Sequence, residues 1–147
     1  FYEVEFWGCA VKTLTNHLIV LQNKCIRIIC HADYYAHVPP LAKSLNLILF
    51  KDLYNFSVLN VMCSVFLQLS SPVLTAMFIR TNTVHNINTR FSVYNFLMSK
   101  CHTNVRKMFI THAGCMLWNN LSLDLRVCNN KLLFKSKLKC HILSLYV

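Results

Sequence analysis

The sequence predicts a mainly α-helical module that carries a short β-hairpin around residues 91–112. Apolar residues recur at spacings of three and four in three separate segments, which is the repeat of one helix face. Hydrophobic residues fill 55% of the 147 positions and charged residues only 14%, so the chain has enough apolar side chains to form a core. Strand-compatible runs at 91–97 and 105–112 predict the two arms of the hairpin.

The first helix is predicted to begin at an Asn16 cap and to end near Cys30. Pro39 and Pro40 then require extended backbone before them, and Pro40 is expected to open a short helical turn through Ser44. The apolar face of the first helix comprises Leu14, Leu18, Leu21, Cys25 and Ile28.

The longest helix is predicted from about Leu49 to Leu69, where the Ser-Ser-Pro string at 70–72 ends it. The charge-free run at 53–79 is also long enough to cross a bilayer, which makes a membrane-associated protein the main alternative. Asn and Gln residues inside the run, and a single apolar stripe, favour a helix packed on a core instead. That stripe comprises Tyr54, Val58, Val61, Met62, Val65, Phe66 and Leu69.

The C-terminal third is predicted to add a Trp-bearing turn and a last helix to this core. Gly114 is expected to interrupt the chain before a helical turn at 115–120, which seats Trp118. Asn129 or Asn130 is predicted to cap the last helix. The buried face of that helix is predicted to comprise Phe134, Leu138, Ile142 and Leu145.

The charge balance is strongly basic. Fifteen Lys and Arg against five Asp and Glu give a formal net charge of +10, and no acid lies between Asp52 and Asp124. A field of that sign favours nucleic acid or an anionic membrane surface as a partner, while a solvated basic face is the plainer alternative. The candidate phosphate-binding residues are Arg90, Arg106, Lys107, Arg126, Lys135 and Lys139.

The sequence offers no pattern for catalysis or for a metal site. Five acids are too few and too scattered for a two-metal polymerase site, and two glycines cannot form a phosphate-cradling loop. Eight Cys and seven His show no ligand spacing, so we expect neither a metal nor a cofactor. Because no signal-peptide pattern is present, we expect an intracellular chain, nuclear or cytoplasmic and not secreted, with reduced and mostly buried thiols.

Short strings in a shared order carry a resemblance. They are Trp-Gly at 7–8, Leu-Gln-Asn-Lys at 21–24, His-Asn-Ile-Asn-Thr-Arg at 85–90, Leu-Trp-Asn-Asn-Leu at 117–121 and Phe-Lys at 134–135. Their order and spacing resemble the region that follows the polymerase domain in jockey-like non-LTR retrotransposon reverse transcriptases. The residues that carry this resemblance are Trp7, Gln22, His85, Thr89, Arg90, Gly114, Trp118, Asn119 and Phe134.

The resemblance implies that residues 1–147 are one post-thumb, C-terminal region of a mobile element's RNA-directed DNA polymerase. The chain would then be a fragment that lacks the upstream polymerase domain and is not an enzyme on its own. We expect an accessory or structural module that contacts RNA or DNA weakly and without sequence preference. Cys115 and Ser122 stand where this family has proline, so a drifted remnant without function is a further alternative.

Overall fold

Helices dominate the computed structural model, which describes residues 12–84 and 93–147 together with Val4. In these residues, the only strand pairing is an isolated antiparallel bridge between Arg80 and Phe96. The prediction of a mainly α fold is therefore confirmed. The helices are α1 (Lys12–Ile29), α2 (Val38–Ser44), α3 (Phe50–Phe66), α4 (Pro72–Ala76), α5 (Thr81–Val84), α6 (Asn104–Met108), α7 (Ile110–Asn119), α8 (Leu123–Arg126) and α9 (Lys131–Ser144).

The chain divides into two compact units. The first unit comprises residues 1–56 and 138–147, and the second unit comprises residues 57–137. Both boundaries fall inside helices, one within α3 and the other within α9.

In the first unit, a glutamine on α1 holds the backbone that leads into α3. The amide oxygen of Gln22 accepts a hydrogen bond from the Phe50 backbone N–H (2.7 Å), and its Nε2 donates to the Ile48 carbonyl (3.3 Å). Ile26, one turn further along α1, is buried. The side of α1 that carries Gln22 and Ile26 is therefore the one that packs on the unit. As a result, much of the apolar face predicted for α1 is exposed. The exposed members of that face are Leu18, Leu21, Cys25 and Ile28.

Tyr146 anchors the C-terminal end of the first unit. Its hydroxyl donates to a carboxylate oxygen of Asp52 (2.7 Å) and accepts from the Leu49 backbone N–H (2.9 Å). Tyr146 therefore occupies the buried position that was predicted for Leu145, which is exposed. The physical reason is that α9 ends at Ser144, so the next residues no longer follow the helical repeat.

The core of the second unit is a cluster of aromatic rings around Trp118. Its ring centroid lies 5.4 Å from that of Phe66 on α3, 5.6 Å from that of Phe134 on α9 and 6.0 Å from that of Phe96. Trp118 and Phe134 are both fully buried. The prediction that Trp118, the long-helix stripe and the last helix share a core is confirmed at these residues.

The predicted β-hairpin is wrong for the described residues. The segment that would have formed its second arm is helical in α6 and α7, and residues 93–99 are irregular apart from the bridge at Phe96. The Thr103 hydroxyl accepts from the Arg106 backbone N–H (3.4 Å) and so caps α6. In α7, Gly114 and Trp118 are buried four residues apart, so packing of one helix face outweighs the strand preference of the sequence.

Gly114 lies inside α7 and does not interrupt the chain. A Cβ atom at this position would come within 2.7 Å of the Met62 sulfur on α3. The absence of a side chain therefore permits the close approach of α7 to α3.

Candidate nucleic-acid interface

Positive charge is concentrated in the second unit. Its sequence holds nine Lys and Arg and one acid, Asp124, which gives a formal net charge of +8. The first unit holds six Lys and Arg and four acids, which gives +2. An anionic ligand is therefore attracted more strongly to the second unit.

Two of the predicted phosphate-binding residues are adjacent and exposed on α6. Arg106 and Lys107 lie in the last turn of this helix, where cations also interact favourably with the helix dipole. α6 ends at Met108, and the extended backbone of its C-cap Phe109 (φ −64°, ψ 143°) separates it from α7. Val105 and Phe109 are exposed beside the two cations, so this surface combines positive charge with an exposed aromatic ring.

The last helix adds a second group of cations to the same unit. Asn130 caps α9, because its side-chain oxygen accepts from the backbone N–H groups of Leu132 (2.8 Å) and Leu133 (3.3 Å). Of the two cap candidates, Asn130 is therefore the one that functions as a cap. Lys135 is exposed, whereas Lys139 is half-buried and belongs to the first unit. Three further lysines of the second unit, outside the predicted phosphate contacts, are also exposed: Lys100, Lys131 and Lys137.

Arg126 is a correction to the predicted set. Its side chain is only 4% exposed, and one of its terminal nitrogens donates to the Asn95 side-chain oxygen. Burial lowers the pKa of Arg126 from its ordinary value, because desolvation penalises the charged form. Arg126 therefore supports the core of the second unit and cannot reach a phosphate from this position.

Arg80 also has an internal partner. Its guanidinium donates to the Phe66 carbonyl at the end of α3 and lies 4.5 Å from the centroid of the Phe66 ring. Because Arg80 already pairs with a carbonyl and an aromatic face of its own unit, it is less available to an external phosphate. Among the described residues of the second unit, the exposed cations are therefore those of α6 and α9 together with Lys100.

The Trp-Asn string holds the irregular segment against α7. The indole N–H of Trp118 donates to the Tyr94 carbonyl (2.8 Å). The Asn119 side chain pairs with Phe96 twice, accepting from its N–H (3.0 Å) and donating to its carbonyl (2.8 Å). These two residues therefore satisfy backbone groups of a segment that has no regular strand partner. Their observed contacts are structural.

Four residues of the resemblance lie outside the described part of the chain. They are Trp7, His85, Thr89 and Arg90, and the last of them is also a candidate phosphate contact. The remaining motif residues Gln22, Gly114, Trp118, Asn119 and Phe134 all make the packing or hydrogen-bond contacts described above.

Two thiols of the second unit are part of its packed interior. Cys63 and Cys115 are buried, and burial raises the pKa of each thiol to about 11. In the part of the chain that the structure describes, seven cysteines are free thiols. No cluster of three or more His, Cys, Asp or Glu side chains suited to a metal ion occurs in that part.

Within residues 12–84 and 93–147, no helix combines the length and the apolar character that crossing a membrane requires.

Comparison with protein-family models, with curated proteins and with solved structures found no match to this chain.

Proposed function

We propose that this chain is a non-catalytic, C-terminal region of a jockey-like non-LTR retrotransposon reverse transcriptase that contacts nucleic acid. The ordered strings from Trp7 to Phe134 support the family origin, because they share the spacing of the post-thumb region. The charge of the second unit supports the nucleic-acid role. The missing upstream polymerase domain would be the partner that brings this region to the template and primer.

One observation carries the nucleic-acid role. Arg106 and Lys107 are exposed side by side on a short capped helix in a unit that has a single acid. Cations in this setting displace the counterions of a phosphate backbone, and the gain in free energy depends on salt but not on sequence. We therefore propose weak, sequence-tolerant binding of RNA or DNA, with Lys135 and its exposed neighbours on α9 as further phosphate contacts.

The role of α6 is tested by removing its charge without changing its length. Arg106→Gln with Lys107→Gln should weaken binding of the full chain to single-stranded RNA in a fluorescence anisotropy titration. Arg106→Lys with Lys107→Arg keeps both charges and is the matched control, which should bind like the parent chain. Equal affinity of the neutralised variant and the parent chain would remove α6 from the interface. Flotation with anionic vesicles, but no RNA binding, would instead support the membrane-associated alternative.

Two further experiments address the parent enzyme. Primer extension on a poly-A template with magnesium or manganese should show no template-dependent incorporation by the purified chain, because it contributes no acidic metal pair for polymerisation. Incorporation would overturn the non-catalytic role.

The genomic sequence immediately upstream of Phe1 should encode a palm with an Asp-Asp motif. The absence of this motif from an intact locus would contradict the family origin.

A further inference from the structure

A groove in the first unit lies between the C-terminal half of α1 and the loop that follows it. Two adjoining compartments of about 300 and 370 Å³ share Lys24, Arg27 and Tyr34 as lining residues, and Tyr35 lines the first of them. Volumes of this size lie at the lower end of those that hold small ligands, about 300–1,000 Å³. The groove belongs to the first unit, whereas the cations of α6 belong to the second unit.

Hydrogen bonds fix the loop that forms one wall of the groove. α1 ends in a Schellman motif, in which the N–H of Ala32 donates to the Arg27 carbonyl (2.9 Å) and that of His31 donates to the Ile28 carbonyl (3.1 Å). The side-chain Nε of Arg27 then donates to the Ala36 carbonyl (3.0 Å). This last bond does not use the two terminal nitrogens of the guanidinium, which can still bind an anion.

The same loop exposes two aromatic rings. Tyr35 is 91% exposed and Tyr34 is 68% exposed, and their rings meet edge to face with centroids 5.0 Å apart. Rings with this exposure add little to the core of the unit. An exposed π-face beside a groove is a surface on which a nucleobase stacks.

The charge of the groove complements a phosphate. Lys24 is exposed on α1, and Arg27 lies one turn away on the same side of the helix. Neither Asp nor Glu is among the described residues that line the groove. A phosphate between these two cations would be held without a competing carboxylate in the lining.

We propose that this groove binds one nucleotide of a single strand. The base stacks on the exposed tyrosine pair, and its phosphate is held by Lys24 and Arg27. A single strand is the occupant because its bases are free to leave the stack, whereas a duplex presents only its backbone and its base edges. The inference concerns the first unit and stands independently of the phosphate contacts proposed for α6 and α9.

The test uses the full chain and a fluorescein-labelled single-stranded RNA octamer. Tyr35→Ala should weaken binding by roughly 5- to 160-fold, which is the range for loss of one base–aromatic stack. Tyr35→Phe keeps the ring and should bind like the parent chain. Lys24→Gln should lower the slope of log affinity against log salt by about 0.7, the value for one phosphate contact on a single strand. Each variant is melted first, and Tyr35→Ala should melt like the parent because Tyr35 is so exposed.

An abasic octamer of the same length separates base stacking from phosphate binding. It should bind the parent chain more weakly than the RNA octamer, and it should be insensitive to Tyr35→Ala. Equal affinity for the two octamers, or an unchanged affinity of Tyr35→Ala for RNA, would overturn the inference. If Tyr35→Ala has no effect while neutralisation of Arg106 and Lys107 does, the groove fails and the proposed function of the second unit stands.

Discussion

At the scale of single residues, Trp118 connects the helical core to the irregular segment before it. Its ring contacts Phe66, Phe96 and Phe134, and its indole N–H satisfies the Tyr94 carbonyl. Loss of this side chain removes a large buried apolar surface and leaves a cavity that a closely packed core cannot fill. Trp118 therefore combines packing with the satisfaction of a backbone group.

We predict that Trp118→Ala lowers the free energy of unfolding by about 3–5 kcal/mol, the usual cost of an aromatic truncation in a core. Urea denaturation followed by circular dichroism measures this change. Phe109→Ala, which removes an exposed aromatic ring of the same unit, is the control and should cost far less. A Trp118→Ala variant as stable as the parent chain would exclude Trp118 from the core.

Arg126 and Arg106 belong to the same unit, but Arg126 is buried and Arg106 is exposed, so we expect them to have different roles. Arg126→Ala should lower the free energy of unfolding by about 1–3 kcal/mol, because the half-buried Asn95 side chain loses its donor. The same variant should bind RNA with the affinity of the parent chain, since Arg126 is almost inaccessible. Thermal melting and an RNA titration on one preparation measure both quantities. Weaker RNA binding at unchanged stability would indicate that Arg126 does contact RNA.

At the scale of helices, three ends are built without glycine. His31, Asn46 and Gln68 adopt positive φ angles of 49°, 55° and 58°. At each end, the positive-φ residue and the residue after it donate a Schellman pair of hydrogen bonds, such as that from the Leu69 N–H to the Ser64 carbonyl (2.8 Å). This closure explains why α3 ends at Phe66 and not at the Ser-Ser-Pro string, where Ser71 instead caps α4.

Glycine should stabilise the end of α3, because Gln68 is poorly suited to the left-handed backbone conformation there. Left-handed backbone costs a residue with a Cβ about 1–2 kcal/mol, whereas Asn tolerates it better through its short polar side chain. After the entropy cost of glycine, we predict that Gln68→Gly raises the free energy of unfolding by about 0.5–1 kcal/mol. Asn46→Gly is the matched comparison and should change stability less. Chemical denaturation measures both, and destabilisation by Gln68→Gly would contradict the assigned helix end.

Predictions from sequence succeeded at the last helix, where one local pattern decides the outcome. The Asn16 cap predicted for α1 was wrong, because α1 already begins at Lys12. The Asn130 cap and the buried positions Phe134 and Leu138 follow from a cap residue and a four-residue spacing. They failed where a distant contact decides. The buried Arg126 bonds to Asn95, 31 positions earlier in the chain, and the helical Gly114 packs against Met62 on another helix.

The same distinction between local patterns and distant contacts applies to the candidate sites. A basic excess was visible in the sequence, so Arg106, Lys107 and Lys135 were identified and their side chains are exposed. The groove near Tyr35 was not identified. It depends on the positive φ of His31 and on the bond from Arg27 to the Ala36 carbonyl, which no spacing in the sequence indicates.

At the scale of the whole molecule, alkaline pH should weaken the fold through its buried thiols. Cys63 and Cys115 have their pKa raised from 9.0 to about 11 by burial, and burial also raises the pKa of Tyr146. The unfolded chain therefore loses these protons first as the pH rises. Their contribution to stability is complete below pH 9 and is lost between about pH 9 and 11.

We predict that the free energy of unfolding declines between pH 9 and 11, and that Cys115→Ala declines less steeply than the parent chain. Urea denaturation at a series of pH values, with a reductant present, measures both slopes. The stability of each variant at pH 7 serves as its own baseline. A Cys115→Ala slope equal to that of the parent chain would show that this thiol does not contribute.

We propose above all that this chain binds nucleic acid through its cations. Filter binding of the full chain to single-stranded RNA at 50 and 200 mM salt tests it most directly. With about four phosphate contacts, each contributing about 0.7 to the salt slope, affinity should fall roughly fiftyfold between the two conditions. Binding that is absent, or equally tight at both salt concentrations, would contradict the account.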